Sequence, residues 1–479
     1  MIQDKNTLKT YFETGDFPTQ EQFRDLIDSL AHVEGSTASG TNAIVPNTIF
    51  VNTTGGDDTN AAIESSSQPF QTIDAALQAL PVWDGADHWT IVLTSAGTYT
   101  VSTIIPRRNI TFTSEQKVTF EMNLEGNITE EGHHTVPVAH ISFYMPLGTY
   151  AHTFTSNTTR LFTERTTLNF NCDQILINYT GSENYTTSAY FNLGAGYQSY
   201  GGVIKVNSVE TNIQFFYGRK FSNDTENTKL EVEINKVTIK PGNDLTFFLE
   251  DYRYNLAEAN IKIHSFVNES TNYVNLFSAN SVTKKNIYLG DINGQGNAVF
   301  LFLGISNGFV TFLNSQLTNV YFARSWAAWT PAYRQFSGTI LSYTGTNGAV
   351  VQTTSHAGSV VYFKNLFIKE FTSNDINAWI FDLWQNNDTR GEWIFENCHF
   401  ISNCRTLRNG GSTDRIKLIG TNVFNDAGDT TNYSIDKRSP TNGQFQFLNQ
   451  GILHTKTIRD TLNTDGNPAV VINNDLNTF

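Results

Sequence analysis

The sequence predicts a mainly β protein whose strands stack as a parallel β-helix, with a short capping helix and, before it, a small helical module. Two observations lead to this prediction. Asn, Thr, Gly and Phe are frequent among the 479 residues whereas Met and Pro are scarce, a composition that favours strands and turns over helices. One short apolar pattern also recurs along the chain at nearly regular intervals, as expected of a solenoid.

The recurring pattern reads apolar, any, apolar, any, small or polar, apolar, any, usually apolar. Alternation within a strand directs the apolar residues inward, and the small or polar residue breaks the alternation and so predicts a bend. Successive copies begin 23 to 34 residues apart, except for one interval of 51 that predicts a hidden coil near residues 339–343. The ten copies begin at Phe170, Ile204, Val232, Ile261, Ile287, Val310, Val361, Trp393, Ile416 and Phe445.

Asn occupies the bend in several copies, where it tolerates a left-handed backbone and where stacked amides can hydrogen-bond to one another. A β-sandwich or a series of small β domains is the alternative, because Asn-Gly pairs typical of hairpins occur at 293–294, 307–308 and 347–348. The two architectures differ in strand direction, since a solenoid stacks parallel strands and a hairpin joins antiparallel ones.

Residues 1–31 are predicted to form a module of two short helices. Asn6 can cap the first helix, and Thr19 with Gln22 forms a capping-box pattern for the second. A segment of this length cannot enclose a core of its own. The apolar stripe of the two helices is therefore expected to pack on identical copies or on another protein. The stripe consists of Leu8, Tyr11, Phe12, Phe23, Leu26, Ile27 and Leu30. Residues 32–48 are rich in small and polar side chains and are expected to be a linker.

The β-helix is expected to span residues 49–425. Its first strand and a Gly/Asp/Asn turn precede a short helix near 71–80, which carries Ile73, Ala76, Leu77 and Leu80. The open end of a solenoid exposes its core to water, so this helix is expected to act as a lid. Residues 426–479 are expected to form the final coils and a C-terminal cap or interchain strands.

Two segments resemble known proteins. The stretch IFVNTTGGDDTNAAIESSSQPFQTIDAALQALP, with WTIVLTSAGTYTVSTIIPRRNITFTSE after it, resembles the opening of pectate-lyase-like right-handed β-helices, including those of bacteriophage tailspikes. The run NTLKTYFETGDFPTQEQFRDLIDSL resembles the N-terminal segment of phage tail fibre and other tail appendage proteins. The resemblance implies a right-handed, single-stranded, pectin-lyase-like β-helix that forms a homotrimer. It also implies that residues 1–31 dock to tail or baseplate proteins, with a helical hairpin lying against the β-domain as the alternative.

Charge and targeting signals narrow the partners. The formal net charge of −14 should repel nucleic acid and anionic membranes. No apolar run is long enough to cross a bilayer, and the N-terminus lacks the features of a signal peptide. Cys172, Cys398 and Cys404 are too few for a disulfide framework and are expected to be free thiols. We therefore expect synthesis in the cytoplasm of a host bacterium, without membrane insertion, and a final location in the virion.

Tryptophan is concentrated in one region, since five of the seven lie between 326 and 393. Exposed aromatic rings can cover the C–H face of a sugar, so Trp326, Trp329, Trp379 and Trp384 are candidates for binding a host-surface polysaccharide. Contact within a trimer or packing in loops is the alternative role. Trp393 occupies an inward position of the pattern and is expected in the core.

The alternative function is enzymatic, as a polysaccharide lyase or glycoside hydrolase on the same scaffold. Hydrolysis needs two carboxyl groups facing each other across a cleft. Asp375, Asp382, Asp388 and Glu392 lie near the tryptophans in sequence and are the candidate catalytic residues, but no spacing places two of them on one face. Carboxylates on such a scaffold are more often solvated charges.

No cofactor or metal is expected. Cys398, His399 and Cys404 resemble part of a metal site, but alternation directs Cys398 inward and His399 outward, and no fourth ligand follows. The sequence therefore predicts a structural virion protein, a tail fibre or tailspike subunit that adheres to host glycans, with the depolymerase as the alternative.

Overall fold

The computed structural model describes the chain in segments that cover most of it from residue 45 onward. The segments are 45–83, 85–130, 139–162, 166–183, 190–193, 201–218, 229–242, 245–250, 258–279, 284–303, 308–324, 333–345, 351–352, 360–373, 379–383, 392–409, 415–426, 435–437, 446–455, 458–460 and 476–478. The helical module predicted at 1–31 and nearly all of the linker predicted at 32–48 lie outside these segments.

The described residues form a parallel β-solenoid of the right-handed type. The larger sheet has 19 strands and makes two faces of each coil, and a bend within each long strand separates the faces. Its strands, numbered in chain order with those of the second sheet, are β1 (Thr48–Val51), β2 (His88–Leu93), β3 (Gly97–Val101), β4 (Asn109–Thr113), β5 (Val118–Met122), β6 (Ala139–Phe154), β8 (Thr166–Tyr179), β10 (Gly201–Thr211), β12 (Lys229–Ile239), β14 (Glu258–Asn268), β16 (Lys284–Asn293), β18 (Gly308–Thr318), β20 (Tyr333–Gly345), β22 (Val360–Ser373), β24 (Glu392–Glu396), β25 (His399–Ser402), β27 (Arg415–Asp426), β29 (Gln446–Thr455) and β31 (Leu476–Thr478).

A second sheet of 12 short strands makes the third face of the coils. Its strands are β7 (Leu161–Phe162), β9 (Phe191–Leu193), β11 (Phe216–Gly218), β13 (Leu245–Glu250), β15 (Val274–Ala279), β17 (Val299–Leu303), β19 (Val320–Arg324), β21 (Val351–Gln352), β23 (Trp379–Leu383), β26 (Arg405–Asn409), β28 (Ile435–Lys437) and β30 (Ile458–Asp460). Each pairs with the corresponding strands of the coils before and after it, except that β7 and β30, at the two ends of the sheet, pair on one side only.

All strand pairings between the described strands are parallel, so the hairpin alternative is wrong. The Asn293-Gly294 pair does not form a hairpin. Asn293 ends β16, which pairs in parallel with β14 on one side and with β18 on the other. The coil predicted near 339–343 is β20, which lies between β18 and β22.

The recurring pattern stacks on itself in register. Phe170 pairs with Ile204, Ile204 with Val232, and the column continues through Ile261, Ile287 and Val310. Their side chains are buried, as the alternation predicts. Beyond β18 the column continues through Phe336, Phe363 and Phe395. Phe363 and Phe395 are the third residues of their copies of the pattern, whereas the earlier members of the column are the first residues of theirs. The register between β20 and β22 then shifts by one residue between Phe336 and Gly338.

Stacked aromatic rings fill much of the interior. Phe112, Phe143 and Phe170 form one stack, with ring centroids 5.2 and 4.7 Å apart. Phe336, Phe363 and Phe395 form another, with centroids 5.6 and 4.8 Å apart. These separations match the spacing between strands of one sheet, so identical residues in register stack their rings face to face. Trp393 is also fully buried, as the pattern predicts.

The bends differ between early and late coils. Asn314, Asn365 and Asn397 have φ values of 50 to 54°, so Asn adopts the left-handed backbone predicted for it. Asn397 Oδ1 then accepts a hydrogen bond from the Thr421 backbone N–H at 3.0 Å. Gly420 has a φ of 67° and lies against this amide, where a Cβ would meet Asn397 Oδ1 at 2.1 Å, so a side chain here would strain the backbone and displace the amide. The stacked amides of the early coils lie elsewhere, on outward positions such as Asn207 and Asn235.

The helix predicted near 71–80 is α1 (Ile73–Gln78). Thr72 caps it, because its Oγ1 accepts a hydrogen bond from the Ala75 N–H at 3.2 Å. Ile73, Ala76 and Leu77 are buried in the same core as the first strands. The Asp74 carboxylate accepts hydrogen bonds from the backbone N–H groups of residues 102 and 103, which holds the helix against the end of β3. Its role as the lid of the solenoid stays a prediction.

Replacement of one inward phenylalanine tests the stacked core. Phe363 is fully buried, and Phe363→Ala should lower the free energy of unfolding by about 3–5 kcal/mol because it opens a cavity between two rings. Phe367→Ala is the matched control on the same strand, since Phe367 is 41% exposed. Denaturant titration measures both, and equal losses for the two variants would contradict the assignment of the inward column.

Candidate functional site

Most of the residues that the sequence singled out for function lie outside the described segments. These are Trp326, Trp329 and Trp384 among the sugar-binding candidates, Asp375 and Asp388 among the candidate acids, and the whole apolar stripe of residues 8–30. Their roles stay predictions.

The remaining candidates lie on two different sheets. Trp379 begins β23 and Asp382 lies within it, on the third face, in register with Arg405 and Arg408. Glu392 begins β24 in the larger sheet and is in register with Val360. The register thus gives no support to Asp382 and Glu392 as a catalytic pair on one sheet.

The N-terminal halves of the long strands, before the bend, make the first face of the coils, and the halves after the bend make the second. A shallow depression lies on the outer side of the first face, across β10, β12, β14 and β16. Its volume is about 230 Å³. The residues that line it come from four successive coils and are Lys205, Glu231, Val232, Glu233, Asn260, Ile261, Lys262 and Tyr288. The depression exists because each long strand places alternate side chains outward at the same height as those of its neighbours.

Two columns of outward residues form the depression. In one column Lys205, Glu233, Lys262 and Tyr288 follow each other in register on successive strands. The parallel column contains Glu231, which pairs with Asn260. Since neighbouring strands lie about 4.8 Å apart, Lys205 and Tyr288 are roughly 14 Å apart along the axis of the solenoid. The depression is therefore elongated along that axis.

Glu233 is surrounded by basic groups. Lys262 Nζ lies 2.9 Å from its Oε1 and His264 Nε2 lies 3.8 Å from the same atom. The hydrogen bond from Lys262 is the main reason that the pKa of Glu233 is lowered, with smaller contributions from the charges of Lys262, His264 and Lys205. A general acid of a glycosidase needs a raised pKa, so Glu233 is unsuited to that role.

Tyr288 and the amides of the depression offer the groups that a sugar needs. The Tyr288 side chain is 41% exposed at one end of the depression. Asn286 Nδ2 donates to Asn260 Oδ1 at 2.8 Å, which fixes the orientation of both amides. An exposed ring beside oriented amides and charges can bind the apolar face and the hydroxyl groups of a saccharide.

Sequence reasoning missed this site because its residues are 26 to 29 positions apart along the chain. Aligning the outward positions of the ten copies would have brought Lys205, Glu233, Lys262 and Tyr288 together. Tyr288 has no aromatic residue among the ten before it, so no cluster of aromatic residues marks this site in the sequence.

A second polar group lies inside the solenoid, out of reach of a ligand. His152 Nε2–H donates to the Leu124 carbonyl at 2.8 Å, which leaves Nδ1 to accept from the Tyr190 hydroxyl at 2.9 Å. Tyr190 in turn accepts from Tyr150 at 2.8 Å. All three side chains are 1% exposed or less. Burial lowers the pKa of His152 to about 4, so the ring is neutral in the folded protein at neutral pH.

This network predicts a loss of stability in acid. The ordinary pKa of His152 is 6.5 and its folded value is about 4, so the unfolded chain binds more protons between these pH values. Stability should therefore fall by about 3 kcal/mol as the pH drops from 6.5 to 4. Urea titrations at several pH values measure the effect, and His152→Gln should remove this part of it. His140→Gln, at an exposed ring, is the control; a His152 variant with an unaltered pH profile would contradict the prediction.

Within the described segments no group of three His, Cys, Asp or Glu side chains is placed to hold a metal ion. Those same segments contain no helix long and apolar enough to cross a membrane. The three cysteines form no disulfide and are buried, and burial raises the pKa of both Cys172 and Cys398 to about 12, which suppresses thiolate chemistry.

The chain matches no protein-family model, no curated protein and no solved structure.

Proposed function

We propose that the chain is a structural virion protein, a bacteriophage tail fibre or tailspike subunit that adheres to host-surface polysaccharide. Two resemblances support this proposal: that of residues 6–30 to the N-terminal segment of phage tail appendage proteins, and that of residues 49–115 to the opening of pectate-lyase-like β-helices, including those of tailspikes. The parallel solenoid agrees with it. In this proposal residues 1–31 bind tail or baseplate proteins, three copies associate as a homotrimer, and the protein reaches the cell surface as part of the virion.

The observation that carries the adhesive role is the elongated depression on the first face. It is open, it runs along the axis, and it combines the exposed ring of Tyr288 with the amide of Asn260, which a hydrogen bond from Asn286 holds in place. A polysaccharide is a long ligand with apolar ring faces and many hydroxyl groups. An open site can bind an internal segment of such a chain, whereas a closed pocket selects an end. Trp326, Trp329, Trp379 and Trp384 are proposed as further contacts.

A depolymerase on the same scaffold is less well supported. Among the described carboxyl groups with a clear shift, Asp57, Glu125 and Glu233, the pKa is lowered in every case. Hydrogen-bond donors stabilise the ionised forms, which suits structural or binding roles. Asp382 and Glu392, the two candidate acids in described strands, belong to different sheets.

Binding of host polysaccharide by the purified full-length chain tests the proposal. Tyr288→Ala should weaken binding roughly five- to tenfold, because it removes the one exposed ring of the depression. Tyr144→Ala is the matched control, since Tyr144 is 51% exposed on the same outward side of the first face but lies five coils away. Equal affinities for the two variants would reject the depression as the binding site.

The same mixtures separate adhesion from catalysis. Retained binding without new reducing ends or unsaturated uronate supports the adhesin. Release of either product would establish the depolymerase, and absence of binding by the unmodified chain to the polysaccharide of any host that its phage infects would reject both. Light scattering of the full-length chain checks the homotrimer, for which a mass three times that of the monomer is expected.

A further inference from the structure

In the described strands, charged residues that lie in register on neighbouring coils have opposite signs. Ten register pairs in the described strands join two residues of the Asp, Glu, Lys and Arg group, and no pair is like-charged. With 31 basic and 45 acidic residues, random placement would make about half of such pairs like-charged. The pairs are Lys205 with Glu233, Glu233 with Lys262, Lys229 with Glu258, Glu258 with Lys284, Lys364 with Glu396, Glu392 with Arg415, Asp382 with Arg408, Arg408 with Asp436, Asp436 with Arg459, and Lys437 with Asp460.

Three of these series continue through three or more coils, and we call them charge columns. Two lie on the first face, Lys205–Glu233–Lys262 and Lys229–Glu258–Lys284. The third lies on the third face and is Asp382–Arg408–Asp436–Arg459. On the first face the charges are in direct contact, with 2.9 Å between Lys262 and Glu233 and 3.8 Å between Lys229 and Glu258.

The second face repeats the alternation through a diagonal contact. Lys240 Nζ lies 3.4 Å from Glu210 and 3.0 Å from Glu269, which belong to the coils on either side of it. These two hydrogen-bonded and charged neighbours raise the pKa of Lys240. Each of the three faces therefore has at least one series of described residues whose charges alternate in sign over three or more coils.

The inward column that begins at Ile204 cannot define the order of the coils. Ile204, Val232, Ile261 and Ile287 follow each other in it and have nearly the same size and shape. A chain that left out one coil would keep the apolar contacts of this column. Such an error would instead bring Lys205 beside Lys262 and Asp382 beside Asp436, and like charges directly opposite each other destabilise a sheet.

The same reasoning applies to a second copy of the chain. Open strands of a solenoid can pair with identical strands of another copy, as in fibrils. Pairing of identical strands in register places every charge against its own copy. We propose that the charge columns specify the order of the coils, by penalising both the omission of a coil and the stacking of identical coils from two copies.

Refolding of charge variants tests this proposal, which does not depend on the function proposed above. Lys262→Glu places a carboxylate in register with Glu233, and it should lower the yield of native protein roughly two- to fivefold, the range expected for exposed charge pairs. Lys236→Glu is the matched control, because Lys236 lies exposed on the same solenoid in register with Ser208 and Ser265 and has no charged neighbour in its column.

A triple variant separates the column from a single ion pair. Lys205→Glu, Glu233→Lys and Lys262→Glu together restore the alternation with every sign reversed, so the yield should return to that of the unmodified chain. The double variant Glu233→Lys with Lys262→Glu mends one pair but leaves Lys205 beside a lysine, so its recovery should be partial. The two Lys→Glu changes of the triple variant contribute −4 to the net charge and its Glu→Lys change contributes +2, so the total change is −2. Each single Lys→Glu variant also changes the net charge by −2, so total charge does not explain a difference in yield between the triple and single variants.

Salt provides the second readout. At 1 M ionic strength the screening length is about 3 Å, so the deficit of Lys262→Glu relative to Lys236→Glu should largely disappear. Equal yields for these two variants at low salt, or a triple variant that refolds no better than Lys262→Glu, would overturn the proposal. A deficit that persists unchanged in salt would also overturn it, because it would assign the effect to packing of the Lys262 alkyl chain.

Discussion

The structure depends on the stacking of successive coils in parallel and in register. Each coil offers its neighbour a full row of backbone hydrogen-bonding groups, and the alternation of each strand directs every second side chain into the interior. A residue such as Phe363 then meets Phe336 on one side and Phe395 on the other. The core is a set of columns, so the stability of one coil depends chiefly on the two coils next to it.

Stacking in register also creates the outer surface. Outward residues that are nearly thirty positions apart in sequence become neighbours about 4.8 Å apart. The depression on the first face arises in this way, because it brings Tyr288 into line with Lys205 through two intervening coils. A solenoid can therefore build an elongated binding surface from single residues of many coils, without any loop that folds over the ligand.

The charged and the neutral groups of this surface are proposed to have separate roles. Glu233 and Lys262 neutralise each other across two coils, and their contact makes the pKa of Glu233 low. This arrangement suits the ordering of coils and leaves the exposed ring of Tyr288 and the amides beside it for contact with a ligand. The polar network of His152 inside the solenoid is different, because its polar side-chain atoms are hydrogen-bonded to one another or to the Leu124 carbonyl.

The bends show how far local sequence rules reach. Asn at a bend position predicts a left-handed backbone, and Asn314, Asn365 and Asn397 adopt it. The same position holds Gln174, Ser208 or Ser265 in earlier coils, which bend without that conformation. The recurring pattern was therefore right about where the chain bends, but it did not distinguish the two kinds of bend. That difference is linked to the register shifts around β18, β20 and β22, which involve contacts between coils.

The sequence by itself determined the parallel solenoid, the inward residues and the short helix at 73–78, because alternation, spacing and capping are local properties of the chain. It even located the coil hidden near 339–343. Alignment of the copies is enough to place the outward residues of β10, β12, β14 and β16 side by side. Only the tertiary structure decided the neighbours on the third face, with their charge column, and the register of the coils around β18 and β20. The physical reason is that register is a property of pairs of coils: the length of each connecting segment varies, so the position of a residue in the sequence does not fix its height on the stack.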